Sequence, residues 1–337
     1  MMMLEDKLAE LTPRIERGLQ AYLAGFDFGL SAELGKMLDY HMGWQGDDGG
    51  GRGKRLRPVL TLLCAGACGG DEEAAMPAAL GIEFLHNFTL IHDDIEDSSE
   101  MRHGRKTLWM CWGLAQAVNA GDALFCIAQL AMLGLGETCG DVVAARAARE
   151  LNHTCLRLTQ GQYLDIAFED ADAVDLDTYL AMIAGKTAAL IRFCARMGGL
   201  AAGADEDTID GLGDYGESLG LAFQIQDDIL GIWGDPEVTG KSAASDLLAR
   251  KKSLPILYGL QECEEFKALW DTKELSEEQV AEMGDLLADC GAADYVRDKA
   301  AAYTQRAFEG LEAMFPNKNE DAVALAELTE KLLHREM

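Results

Sequence analysis

Ala78-Ala79-Leu80-Gly81-Ile82-Glu83-Phe84-Leu85-His86-Asn87-Phe88-Thr89-Leu90-Ile91-His92-Asp93-Asp94-Ile95-Glu96-Asp97 is apolar on more than one side of a helix and ends in carboxylates. A helix of that kind is buried all round, so it belongs at the centre of a bundle with other helices wrapped about it. Outward from it, apolar residues recur at i,i+3/i+4 through Leu4–Leu23, Val59–Cys68, Val118–Leu133, Ala144–Ala167, Leu176–Met197, Leu212–Ile232, Leu254–Leu260 and Glu277–Met314. No sustained two-residue alternation of the kind strands need is present. The breaks, such as Gly46–Gly53, Gly198-Gly199 and Gly234-Asp235-Pro236, are short and evenly spread. The expected organisation is therefore one large all-α domain over residues 1–337.

Lys and Arg number 29 against 58 Asp and Glu, a net charge of −29 in 337 residues. A field of that sign repels polyanions, which excludes a general nucleic-acid binder. An anionic ligand must be held by a local exception. The nine Cys contain no C-x-x-C pair, which fits reduced, mostly buried thiols of a cytoplasmic protein. The start, Met1-Met2-Met3-Leu4-Glu5-Asp6-Lys7, has no basic region leading into an apolar one, so no signal peptide is read there. The most apolar run, Ala123 to Leu135, is shorter than the roughly 20 residues a bilayer needs, so no integral membrane segment is expected.

Asp93 and Asp97 stand at i,i+4, so both project from one helix face with Asp94 beside them. Like charges so spaced destabilise a helix unless a cation lies between them, and hard oxygen donors suit Mg²⁺, which recruits phosphate as a further ligand. A solvated acidic helix end is the alternative, but the preceding run Phe84 to Ile91 reads as core. Phe223-Gln224-Ile225-Gln226-Asp227-Asp228 repeats the arrangement on a second apolar helix, with Gln224 on the side of the aspartates. If the two helices face each other, they line a cleft for several divalent ions. Arg52, Lys54, Arg55 and Arg57 reverse the global charge after a glycine-rich stretch that does not fit the P-loop pattern. Bases also follow each acidic pair: Arg102, His103, Arg105 and Lys106 after the first, Lys241, Arg250, Lys251 and Lys252 after the second. Carboxylates beside bases, twice, are the footprint of a site for diphosphate and metal.

Taken in order, these residues resemble those of the trans-isoprenyl diphosphate synthases, the polyprenyl synthetases. Gly53-Lys54-Arg55-Leu56-Arg57-Pro58 is similar to their G-K-x-x-R-P segment, and Glu83 to Asp97 with Arg102, Gly104 and Thr107 to their first aspartate-rich region. Gly161-Gln162-x-x-Asp165, Lys186-Thr187 and Gln224 through Lys241 to Pro255 are similar to later signatures. The resemblance implies a helical bundle with a central apolar cavity, working as a homodimer. It implies that Asp93, Asp94, Asp97, Asp227 and Asp228 serve Mg²⁺, three ions per site, on the diphosphate of an allylic substrate. Arg102, Lys186, Lys241 and Lys251 would contact that diphosphate. Lys54, Arg57, His86 and, with a substitution, His103 would hold isopentenyl diphosphate. Thr187, Phe223 and Gln224 would line the place of bond formation.

The chain departs from the family pattern at three positions: His103 and Lys106 in the first basic cluster, and Gly231, which stands where the second acidic segment usually has its last aspartate. These departures leave two alternatives to the synthase, a terpene cyclase on the same fold and a regulatory partner subunit of an active synthase. Phe88 and Thr89, five and four positions before Asp93, point along the tunnel if the helix continues. An aromatic floor there implies a short product, and within the family this placement favours geranylgeranyl diphosphate. His92, His41, His153 and His334 are expected to be structural or exposed.

Overall fold

The computed structural model describes residues 2–45, 53–235, 244–272 and 275–333. Its Cα packing divides the chain into two compact units. The first holds Met1–Leu151, Cys194–Ile209 and Lys318–Leu325, and the second Asn152–Phe193, Asp210–Asn317 and Ala326–Met337.

In the first unit, α1 (Met2–Ala24) buries the stripe of Leu4, Leu11, Ile15, Leu19 and Leu23, with Leu8 half-buried. After α2 (Ala32–His41) comes α3 (Leu56–Ala67), buried from Pro58 to Ala67. The quoted stretch forms the end of α4 (Glu72–Glu96), whose start is capped by Asp71 accepting from the Glu73 N–H at 2.9 Å. Its residues Ala78 to Leu85 are buried, as two-sided apolarity requires. Short α5 (Leu108–Trp112) leads into α6 (Leu114–Leu133), which lies against α4. A Cβ on Gly81 would stand 3.0 Å from the Ala128 carbonyl, so the two backbones meet there without a side chain between them. After α7 (Leu135–Thr138), α8 (Asp141–Asp170) gives its first turns to this unit and the rest to the second.

By length and composition alone, Glu72–Glu96 and Leu114–Thr138 could each cross a bilayer, a longer apolar helix than the Ala123–Leu135 run suggested. Of their most apolar windows, 61% and 44% are buried within the protein, so much of that apolar surface is covered by other helices.

The second unit packs α9 (Leu176–Ile183), a π-helical turn at Ala184–Ala188, the start of α10 (Ala189–Ala201) and most of α11 (Glu206–Trp233). Helices Ser245–Leu248, Leu254–Glu262, Glu264–Trp270, Glu277–Asp289 and Ala292–Met314 and the end of Glu320–Leu333 also belong to it. One core gathers Tyr179, Ile183, Leu221, Ile225, Leu254 and Val296, and another Ile232, Phe266, Met283 and Leu287.

Three local features differ from the helical pattern. Met101–Arg102 and Arg105–Lys106 pair as a two-residue antiparallel hairpin. Its turn residues His103 and Gly104 both have positive φ, +49° and +75°, as the tightest hairpin turns require. The segment Leu176–Met197 carries the π turn in its middle. The segment Glu277–Met314 is two helices, broken at Gly291 with φ +87°.

Candidate active site

The basic turn before α3 separates into unlike roles. Arg55, at φ +49°, turns its side chain inward to 2% exposure. There Nε donates to Glu16 Oε1 and Nη1 to Glu83 Oε1, both at 2.7 Å, and Nη2 to the Met42 carbonyl at 3.0 Å. Burial works against its charge, and Glu83 and Glu16 more than offset it. Arg55 is thus a buried clamp and not a free phosphate donor, which corrects its place in the cationic cluster. Lys54 beside it is exposed.

Arg57 takes the other direction. Its Nη1 lies 3.0 Å from His86 Nε2, and its Nε is buried with no partner among the described residues. Since a guanidinium only donates, His86 must accept, so its ring is neutral with the proton on Nδ1. Burial, reinforced by Arg57 and Arg102, holds His86 well below its ordinary pKa. The same causes, burial and then Arg102 and Arg55, bring His41 down to about 3. Neutral imidazoles among guanidiniums leave the positive charge intact for a ligand. A solvent-open cleft is lined here by His41, His86, Arg102, His103, Arg105 and Lys106 among others. Arg105 is tied down, donating to the Tyr40 carbonyl at 2.9 Å with its guanidinium 3.9 Å from the Tyr40 ring centre.

At the end of α4, Asp93 is half-buried, Asp94 is 3% exposed and Asp97 is an exposed C-cap. All three stand at the negative end of a helix, where carboxylates are disfavoured and cations favoured. Burial raises the Asp94 pKa, opposed by Arg102, whose Nε and Nη2 each lie 2.8 Å from Asp94 Oδ1.

In the second unit, Lys186 is ion-paired to Asp165 on the π turn. That turn fits because Gly161 has no side chain: a Cβ there would lie 2.2 Å from the Lys186 nitrogen. A chain of hydrogen bonds starts next door. Thr187 Oγ1 donates to Gln224 Oε1 at 2.8 Å, and Gln224 Nε2 donates to Asp228 Oδ1 at 3.1 Å. Asp228 Oδ2 accepts from the Tyr179 hydroxyl at 2.5 Å and from the Leu254 N–H at 3.3 Å. Asp228 is 1% exposed, and burial pushes its pKa up to about 6. Asp227 is half-buried. Lys251 is exposed and held above its usual pKa, since Asp228, Asp246, Asp165 and Asp227 outweigh the effect of desolvation.

These are two anion- and cation-ready surfaces in an acidic chain, in the order a diphosphate-using enzyme presents them. The sequence profile of the family Polyprenyl synthetase matches residues 48–289. The chain belongs to that family. The synthase is 42% identical over 262 residues to the geranylgeranyl diphosphate synthase of Mycobacterium tuberculosis (strain ATCC 25618 / H37Rv), covering 77% of this chain and 72% of that one. It is 40% identical over 261 residues to the geranylfarnesyl diphosphate synthase of Aeropyrum pernix, covering 76% and 81%. The crystal structure of a polyprenyl synthetase from Streptomyces coelicolor A3(2) has a TM-score of 0.86 to it at 35% identity, over 98% of this chain and 99% of that one. It is an all-α isoprenyl diphosphate synthase making short-chain trans-prenyl diphosphates.

Enzymes of this family generally use Mg²⁺. Among the described residues of the synthase, no three His, Cys, Asp or Glu side chains form a ready-made metal cage. Mg²⁺ does not require one, because it keeps waters and completes its octahedron with substrate phosphate. Asp93 and Asp97, sharing a helix face and reachable from solvent, fit that donor chemistry. Asp228 fits it less well than the sequence suggested. Neighbouring helix positions diverge by about 100°, so with Asp227 half-exposed Asp228 turns into the core. Both its oxygens then accept hydrogen bonds from the protein.

The remaining expected residues fall as follows. Lys241 and Arg52 lie outside the described residues. Of the other bases after the second acidic pair, Lys252 binds the carbonyls of Phe168, Glu169 and Ala171 at 2.6–2.9 Å, capping the end of α8. Arg250 donates to the carbonyls of Trp270 and Thr272. Only Lys251 of those three faces the carboxylates. Phe223 is half-buried, and Thr89 Oγ1 donates to the His86 carbonyl at 2.8 Å. Phe88 is half-buried against His92 and Phe125, with ring centres 4.8 and 5.1 Å away. His103 occupies a left-handed turn position that His tolerates better than most side chains, a backbone reason for its place there. Tyr179 was not anticipated. Its signal is a phenol hydroxyl within an apolar helix, which when buried must find a partner.

Proposed function

We propose that this single catalytic domain condenses isopentenyl diphosphate with an allylic diphosphate (dimethylallyl, geranyl or farnesyl) to give geranylgeranyl diphosphate. The observation that carries this is the cleft lined by His41, His86, Arg102, His103, Arg105 and Lys106, where neutral imidazoles leave the positive charge of the cluster for an anion and where Arg57 meets His86. Lys54, Arg57, His86 and His103 are assigned to isopentenyl diphosphate. Arg102, Lys186, Lys241 and Lys251 are assigned to the allylic diphosphate, and Asp93, Asp94, Asp97 and Asp227 to three Mg²⁺ ions.

Bound Mg²⁺ supplies neutralisation of the diphosphate as it leaves the allylic carbon. Arg102 and Lys186 add fixed positive charge at that leaving group, stabilising charge that grows as the C–O bond breaks. Thr187 spends its proton on Gln224, which leaves its oxygen an acceptor only, suited to an electron-poor allylic carbon. The alkene of isopentenyl diphosphate then attacks that carbon, and a proton is lost to the departed diphosphate. Apolar walls keep water from the cation.

All nine cysteines are unpaired, which supports a reducing, cytoplasmic setting. We also propose a homodimer, on the resemblance to the family. Incubation with Mg²⁺, labelled isopentenyl diphosphate and each allylic diphosphate in turn tests the reading by product mass. A labelled linear C20 diphosphate is expected. An unlabelled hydrocarbon or alcohol would instead indicate a cyclase, and no product a regulatory subunit.

A further inference from the structure

Cys263 and Cys290 belong to one core cluster of the second unit, together with Phe266, Met283 and Leu287. Both stand at helix ends. Cys263 joins helix Leu254–Glu262 to helix Glu264–Trp270, and its Sγ accepts from the Phe266 N–H at 3.4 Å, where a capping serine would put its oxygen. Cys290 closes helix Glu277–Asp289, and its Sγ donates to the Leu287 carbonyl at 3.4 Å. Gly291, at φ +87°, turns the chain directly after it. The two thiols, carried by different helices, are also hydrogen-bond partners of each other.

Access to the pair is one-sided. Cys263 is 9% exposed and Cys290 is half-buried, so a small reagent meets Cys290 first. Burial raises the Cys290 pKa, which keeps its thiol protonated near neutrality and slows its reaction with single-sulfur reagents. What the pair offers is proximity. Cys64 and Cys194 are fully buried, and no reagent reaches them in the folded chain. Cys111 and Cys126 are exposed, but exposure alone lets oxidation run on past the sulfenic acid, whereas a neighbouring thiol stops it at a disulfide.

We propose that Cys263 and Cys290 form a redox modification site, closed to a disulfide by hydrogen peroxide and reopened by a dithiol. Cys290 Sγ attacks one peroxide oxygen, the O–O bond breaks, and water leaves a sulfenic acid on Cys290. Cys263 Sγ then attacks that sulfur. The S–S bond forms as the S–OH bond breaks, and the hydroxide departs with the Cys263 proton as a second water. Two thiols thus lose two electrons and two protons, and one peroxide becomes two waters. The S–S bond is about 2.05 Å, so the sulfurs must close in from contact. Both lie where helical hydrogen bonding ends and the backbone can give. The cross-link joins the start of one helix to the end of the next and restricts the unfolded chain.

Hydrogen peroxide on the ligand-free protein, then alkylation of the remaining thiols, trypsin and mass spectrometry, tests this. The two cysteines fall on different tryptic peptides, residues 253–267 and 274–297. The expected product is those peptides joined, two hydrogens lighter than their sum, and parted again by dithiothreitol. The oxidised protein should melt several degrees above the reduced one. Cys263→Ser keeps a capping side chain, so it should fold, and peroxide should leave on its Cys290 a sulfenic acid that dimedone captures. Dimedone capture on wild-type Cys290 with no joined peptide overturns the pair, because the sulfur is then oxidised with no neighbour in reach. A joined peptide that forms only in urea, or that lowers the melting temperature, overturns it as well.

Discussion

Arg102 donates from Nε to Asp94 Oδ1 at 2.8 Å, and its Nη2 lies at the same distance from that single oxygen. The cation assigned to the allylic diphosphate is therefore stored on one of the aspartates assigned to its metals. The remaining Nη1 is outside this pair, so the guanidinium can engage a diphosphate without first abandoning Asp94. Lysine has the charge but not the fork. Arg102→Lys should lower kcat/KM for the allylic substrate by about 10²-fold, near 3 kcal/mol, the size of a lost donor at a developing charge. Arg102→Ala should lose activity and also melt earlier, since it leaves Asp94 buried without its partner. Kinetics at saturating isopentenyl diphosphate and a ligand-free melt check the two parts.

Asp228 carries a pH prediction. Burial raises its pKa from 3.8 to about 6, so between those values the folded chain holds a proton that the unfolded chain releases. Its contribution favours the fold below 3.8 and is lost as pH rises through 6. The total change is on the order of a few kcal/mol. Asp228→Asn has no such titration. The stability of wild type relative to Asp228→Asn should therefore fall between about pH 4 and about pH 7, then stay level. A difference that is flat with pH in chemical unfolding would show that Asp228 does not titrate there.

Lys54 and Arg55 are neighbours with opposite predicted phenotypes. Arg55→Ala removes the centre of a buried pair with Glu16 and Glu83, a loss of about 3–5 kcal/mol. It should be found in the melting curve. Lys54→Ala removes an exposed charge and should change stability by less than about 0.5 kcal/mol, while raising KM for isopentenyl diphosphate.

That contrast also marks where sequence reading stops. The buried centre of α4 was legible because apolarity on two sides of a helix has one physical meaning. The aspartate pairs were legible because like charges at such spacings need a reason. The roles of Lys54, Arg55 and Arg57 were not, since they depend on Glu16 on α1, on Glu83 one helix away and on a left-handed turn at 55. Nor was the hairpin at 101–106, because two residues per strand are too few to show alternation. The π turn at Lys186 was equally hidden: the sequence keeps its helical rhythm, and only Gly161 and Gly185, meeting across helices, betray the close contact.

Phe88 supplies a prediction about product length. Its half-buried ring lies between His92, one turn on, and Phe125 of α6. If it closes the tunnel, Phe88→Ala opens room along α4 toward its start, and prenyl chains longer than C20 should appear by mass spectrometry. Phe125 still fills part of that space, so Phe88→Ala with Phe125→Ala should lengthen them further. If the ring serves only as packing, the same substitution should cost stability of about 3 kcal/mol or more and leave the product spectrum as it was. Product masses and melting temperatures on the same two variants separate these outcomes, because a half-exposed floor residue should move the first far more than the second.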